Sequence, residues 1–180
     1  MLASVVSQHE GLYYPFHCSS LLAFVAAQLS NNGIGISPSG RNIVNATQAQ
    51  TILEGAVRSA TQINIPQNIA VVDPFGLLVA FFRMDNAYPG SIDISIKKAR
   101  TVVLFNGMTS ASFYNASQPG ASLYGIEETN GGLVVFGGGV PLLVNGILIG
   151  AVGVSGGTVA QDVQVANAGA QAIGGTIPSS

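Results

Sequence analysis

Six residues, Gly153 to Thr158, read GVSGGT, and the first five fit G-x-S-x-G, the turn that carries the nucleophile in many serine hydrolases. That chemistry needs a histidine base and a carboxylate to orient it, in the chain order serine, acid, histidine. No histidine follows Ser155, and the two in the chain, His9 and His17, lie far upstream. The strand before Ser155 also pairs through a hairpin, whereas the hydrolase turn belongs on a parallel sheet. Serine catalysis is therefore excluded, and Gly153, Gly156 and Gly157 read as a tight strand-to-helix turn. The free N–H groups at the start of the helix after Thr158 could hold a carboxylate or another anion.

The other polar residues with suggestive spacing are Arg83, Asp85, Asp93, Lys97, Lys98 and Thr101. Arg83 and Asp85 share one side of an extended chain, and Lys98 and Thr101 are neighbours on a helix face. Two readings stand: a salt bridge tying a hairpin end to the helix, or a ligand pocket. The triple glycine Gly137–Gly139 precedes Val140-Pro141 and lacks the Lys and Ser/Thr of a phosphate cradle, so it reads as a bend. No metal site is expected. His and Cys are absent after Cys18, and the adjacent Glu127 and Glu128 point apart in most conformations.

Helices and hairpins must position these residues. Asn45 opens a helix through a capping box with Gln48, and Ala49, Ile52, Leu53, Ala56, Val57 and Ala60 recur at helical spacing. Ile69–Asp73 and Leu77–Met84 form a hairpin about a turn at Asp73-Pro74-Phe75-Gly76. Ser91 caps a second helix with Ile92, Ile96, Ala99 and Val103 on one face, Asp93 and Lys97 paired, and Gly107 at its end. Residues 108–120 read as a short helix and loop. Leu133–Phe136 opens a last sheet region, and a second hairpin turns at Asn145-Gly146. Thr158 and Gln161 form another capping box, before a helix whose apolar face is Val159, Val163, Ala166 and Ala170. The order of elements is that of an α+β domain: an antiparallel sheet with helices packed against it.

Composition sets limits. Hydrophobic residues make up 48% of the 180 and charged residues 8%, against about a quarter in ordinary soluble domains. A surface so poor in charge predicts a homo-oligomer that buries apolar faces. The net charge of −2 gives no footprint for nucleic acid, and no apolar run is long enough to span a membrane. Cys18 is single, which leaves no internal disulfide. Residues 1–40 form an N-terminal extension that ends in the Ser-, Asn- and Gly-rich linker Ser30–Asn42; residues 41–180 form the domain. Within the extension, the apolar stretch from residue 19 to 28 is either a non-standard signal-like segment or a helix for a partner subunit, so the compartment is cytoplasmic or secreted. Asn45-Ala46-Thr47 and Asn115-Ala116-Ser117 are glycosylation sequons, the first in conflict with its capping role.

The stretch AVVDPFGLLVAFFRMDNAYPGSIDISIKKARTV resembles the first half of the GlcG/HbpS-like family, also called the heme-degrading-domain family. YGIEETNGGLVVFGGGVPLLVNGILIGAVGVSGGTVAQD resembles its second half, and the match covers about residues 45–173. The resemblance implies a profilin-like antiparallel sheet of about five strands with flanking helices, and oligomers. Some relatives bind or degrade heme, some sense redox conditions, and related domains are fused to corrinoid adenosyltransferases. Arg83, Asp85, Lys98, Thr101, Gly137–Gly139 including Gly138, Ser155 and Asp162 fall on family positions. The domain has no His, so heme iron would be held by His9, His17, Tyr88, Tyr124 or Met84.

Three functions follow from these readings. A cleft lined by Phe81, Met84, Tyr88 and Tyr124, with Arg83 and Lys98 at its rim, could hold heme or another flat hydrophobic acid. The same pocket could serve a cofactor-free isomerase or cyclase with Asp85 as base and Lys98 or Tyr88 as acid. A structural or regulatory oligomer without ligand is the third.

Overall fold

The computed structural model describes residues 39–176. The signal-like stretch, His9, His17 and Cys18 lie outside the described residues. Helix α1 (Ala46–Gln62) is followed by β1 (Asn68–Val72), β2 (Leu78–Arg83), α2 (Ser91–Leu104), short 3-10 turns, β3 (Gly139–Val144), β4 (Ile147–Ser155) and α3 (Val159–Gln171). The four strands make one antiparallel sheet in the order β2-β1-β4-β3.

Local chemistry accounts for most of these boundaries. Asn45 accepts from the Gln48 backbone N–H while the Gln48 side chain accepts from Asn45, and Thr158 and Gln161 repeat the arrangement at α3. In the first hairpin Asp73 accepts from the N–H of Phe75 and Leu77, and Gly76 closes the turn back onto Asp73. In the second, Asn145 and Gly146 lie at φ 52° and 78°, the left-handed pair that a two-residue hairpin needs.

Strand β1 is buried along its whole length and builds the core on both faces. Ile69, Val71, Val152 and Val154 pack with Ile52, Ala56, Val165 and Ala166 of α1 and α3. Val72 and Ala151 pack with Ala99, Val102 and Val103 of α2 on the other face. Gly153 makes the second contact close: a Cβ there would overlap the Ser95 carbonyl oxygen and the Ala99 nitrogen.

Several expectations are corrected. Leu133–Phe136 is not a strand, so the sheet has four strands rather than five. Its chain is tied to a helix instead, by the Val134 N–H donating to Thr101 Oγ1 at 3.2 Å. Gly90, not Ser91, stands at the N-cap of α2, without a side-chain cap. On α2 Ala99 and Val103 are buried as expected, but Ser95, Lys98 and Val102 are buried with them, and Ile92 and Ile96 are only half-buried. On α3 Ala166 and Ala170 are buried as expected, together with Asp162 and Val165, while Val163 is half-buried and Val159 is 49% exposed. Among the buried residues of the two helices are the charged pair Lys98 and Asp162.

Candidate functional site

Lys98 and Asp162 meet at the end of the sheet where β2 and β4 finish and β1 and β3 begin. Lys98 is 0% exposed. Its Nζ donates to Asp162 Oδ2 at 2.7 Å and to the Val154 carbonyl at 2.9 Å, and lies 4.7 Å from the centroid of the Phe136 ring. The other oxygen of Asp162 accepts from the Gly157 N–H at 2.9 Å. Burial pulls the Lys98 ammonium below its ordinary value, and the hydrogen bond and charge of Asp162 partly restore it. Gly138, at φ 118°, closes over the pair: a Cβ there would lie 2.7 Å from Lys98 Nζ and 2.6 Å from the Val154 oxygen. The bend expected at Gly137–Gly139 is thus a lid of backbone over a buried ion pair. Beside it Ser110 donates to the Phe136 carbonyl and accepts from the Gly139 N–H.

A second polar group lies on the same sheet end. Arg83, Asn68 and Ser155 occupy one row across β2, β1 and β4. Asn68 Nδ2 donates to the Tyr88 carbonyl at 2.9 Å, but Asn68 Oδ1 is buried without a partner. Gln67, one residue earlier, is wholly buried, and both its Oε1 and Nε2 lack partners. Its amide lies against the turn after Ser155: a Cβ on Gly156 would be 2.8 Å from Gln67 Oε1, and one on Gly157 would be 3.1 Å from Nε2. Buried amides are nearly always satisfied, so three such atoms on two consecutive residues call for a reason. Sequence patterning gave no sign of Gln67 or Asn68. The available signal was two consecutive amides, one just before β1 and one as its first residue.

The expected site residues distribute unevenly. Lys98, Asp162, Gly138, Ser155, Arg83, Met84 and Tyr88 converge on this sheet end. Arg83 is exposed, and its Nε and Nη2 donate to the Ala87 carbonyl at 3.3 and 3.2 Å. Met84 Sδ accepts from the Gln67 N–H at 3.4 Å, and Tyr88 is 67% exposed. Ser155 is 5% exposed. Lys98 does not stand at a cleft rim, as expected, because its charge is consumed inside the fold. Thr101 is buried and donates to the Lys97 carbonyl while holding Val134, a structural placement. Asp85 is exposed, and no ion pair of the described residues joins it to Lys98 or another cation. Tyr124 is 65% exposed in a separate loop, bonded through its backbone to Ala121. Phe81 lines a groove between α1 and β2 instead of a cleft with Tyr88 and Tyr124. Asp93 and Lys97 form the expected i,i+4 pair at 2.8 Å. No group of three or more metal-binding side chains occurs among the described residues, and no helix there is long and apolar enough to cross a membrane.

Comparison with known proteins identifies relatives of the chain and of its fold. The chain is 44% identical over 120 residues to an uncharacterized 15.0 kDa protein of Citrobacter freundii from the dhaT-dhaS intergenic region, covering 66% of this chain and 84% of that one. It is 39% identical over 123 residues to the corrinoid adenosyltransferase PduO of Salmonella typhimurium, covering 68% of this chain but only 36% of PduO. The crystal structure of a PduOC:heme complex superposes with a TM-score of 0.71 at 34% identity, over 76% of this chain and 99% of that one. The sequence profile described as haem degrading protein HbpS-like matches residues 44–171. With the profile spanning nearly all of the described fold, the chain belongs to the HbpS-like family.

Proposed function

We propose that this protein binds a small molecule, heme or another flat apolar acid, at the sheet end formed by Gln67, Asn68, Arg83, Tyr88 and the Ser155–Gly157 turn. The observation that carries the reading is the set of three buried, unpartnered amide atoms on Gln67 and Asn68. Leaving them so costs about 1–3 kcal/mol per group; a ligand carboxylate would accept from Gln67 Nε2, and the two amide oxygens would take a hydroxyl or water donor. The glycines Gly156 and Gly157 pack over the Gln67 amide, with Ile65 and Gln161 also against the Gly157 position. Arg83 keeps Nη1 for a carboxylate, and the exposed ring of Tyr88 offers a face for a flat ligand.

Heme fits this site through one group. Met84 Sδ is occupied by the Gln67 N–H, and no His or Cys lies among the described residues. Tyr88 is then the side chain at this site able to hold the iron, as phenolate does in some heme proteins. Bound heme would supply iron redox chemistry; the chain's own residues would orient its carboxylates and shield one face. A complex of the related PduOC with heme supports this choice of ligand. No observation favours the proton-transfer enzyme, since Asp85 is exposed and the Lys98 protons are directed at Asp162 and Val154.

The test is a titration of the full chain with hemin and, separately, with metal-free protoporphyrin, following the Soret band and tyrosine fluorescence. Saturable binding of both is expected, weakened by Arg83→Ala. Tyr88→Phe should change the hemin spectrum and leave protoporphyrin affinity within about threefold, while a His9→Ala/His17→Ala variant keeps the native spectrum. No saturable response to either porphyrin would remove this reading.

A further inference from the structure

The two edges of the sheet are built differently. On β3 the outer edge carries Pro141, which lacks an N–H, and Leu143 is capped by an antiparallel bridge to Thr176. Both devices blunt an edge against pairing with another chain. On β2, LVAFFR, neither is present; Arg83 at its end is the single charge. Leu78 is 51% exposed and Phe82 44%, and at the adjoining turn Phe75 is 72% and Leu77 65% exposed. In a chain with 8% charged residues this is a long apolar margin left open.

Beside that edge runs a groove of about 400 Å³ between α1 and β2, lined by Leu53, Val57, Phe81 and Phe82, with Glu54 and Arg58 among its walls. Glu54 and Arg58 are one turn apart and exposed, yet they do not pair with each other; the ion pairs among the described residues are Asp93–Lys97 and Lys98–Asp162. A flat acid in the groove would be drawn to Arg58 and repelled by Glu54. A second copy could meet both: a two-fold axis passing between Glu54 and Arg58 would set Glu54 of one copy opposite Arg58 of the other, twice over.

We infer that the α1–β2 face is a two-fold interface between copies of this chain, with two reciprocal Glu54–Arg58 pairs fixing its register. The inference is independent of the ligand site at the sheet end. Its test is sedimentation equilibrium on the full chain, with circular dichroism confirming that each variant is folded. Glu54→Arg and Arg58→Glu should each weaken association by more than about tenfold and halve the assembly mass, since each sets like charges opposite twice. Mixing the two variants should restore the native mass as a one-to-one heterodimer, because the mixture alone recreates both opposite-charge pairs. A change acting within one chain cannot produce that rescue. Native chain sedimenting as a single copy, reversals that leave the mass unchanged, or a mixture that stays dissociated would overturn the inference. So would loss of porphyrin binding in Arg58→Glu at unchanged mass, which would make the groove a ligand site.

Discussion

Two polar clusters sit within a few residues of each other at one end of the sheet, and they are finished to different degrees. Around Lys98 every strong group has a partner: the ammonium holds Asp162 and Val154, and the second carboxylate oxygen holds Gly157. Around Gln67 and Asn68, three amide atoms equally deep in the fold have none. The first cluster is closed by α2, α3 and the Gly137–Gly139 lid, which is what a buried charge requires to exist at all. The second is closed on one side by a glycine turn. On the proposed reading the binding site is the neutral cluster, whereas the charged one is already complete within the fold.

That contrast can be broken from its stronger side. Lys98→Ala leaves Asp162 buried without its counter-charge and is expected to destabilise the domain by about 3–5 kcal/mol in denaturant unfolding. Replacing both partners, Lys98→Met with Asp162→Leu, should recover most of that loss, since no unpaired charge remains. If the double replacement unfolds as readily as the single one, the pair is doing more than satisfying itself. A smaller effect is expected at the lid. Gly138→Ala forces an L residue to φ 118° and sets its Cβ against Lys98 Nζ and the Val154 oxygen, for a cost of about 1–3 kcal/mol. A neutral outcome there would mean that the lid is loosely held.

Much of the scaffold for both clusters could be read locally. The two capping boxes, the Asp73 turn and the Asn145-Gly146 hairpin depend on residues two to four apart, and each formed as patterned. The faces of α2 and α3 could be read that way only in part. Lys98 reads locally as a neighbour of Thr101 on a helix face, and its partners lie 56 and 64 positions away in Val154 and Asp162. Periodicity assigned Ile92 and Ile96 inward because it weighs hydrophobicity and cannot see a distant carboxylate. The family positions Lys98, Gly138, Ser155 and Asp162 were visible one by one; that they share a single end of the sheet is a property of the topology. Gln67 and Asn68 left no trace, because an amide at the start of a strand is ordinary until its neighbours fail to bond it.

The weaker side of the contrast predicts the opposite sign. Gln67→Met keeps the volume and removes both orphan atoms. In the free protein it should be neutral or stabilising, by up to about 1–3 kcal/mol, where Lys98→Ala is destabilising. The same variant should lose porphyrin affinity, by roughly tenfold if one hydrogen bond to a charged group is lost. Destabilisation with unchanged affinity would show that Gln67 is satisfied within the fold and would return it to the structural cluster.

The finest distinction is in pH dependence, which the two clusters do not share. Only the charged one titrates. In the unfolded chain Lys98 keeps its ordinary value near 10.5, and in the fold burial holds it lower. Between those two values the unfolded chain binds more protons than the folded one, so this group's contribution to stability grows as pH rises through the window. It is fully present above the unfolded value and lost as pH falls through the folded one. Comparing native protein with the Lys98→Met/Asp162→Leu double variant by urea unfolding from neutral pH upward isolates the pair, because that variant keeps no unpaired buried carboxylate and the remaining titrating groups are common to both. The gap should move in favour of the native protein with rising pH. A gap that moved the other way would mean that Asp162 outweighs desolvation and holds the ammonium above its ordinary value, making the pair a net electrostatic attraction. Gln67→Met, compared in the same way, should run parallel to the native protein at every pH, since it removes no titrating group.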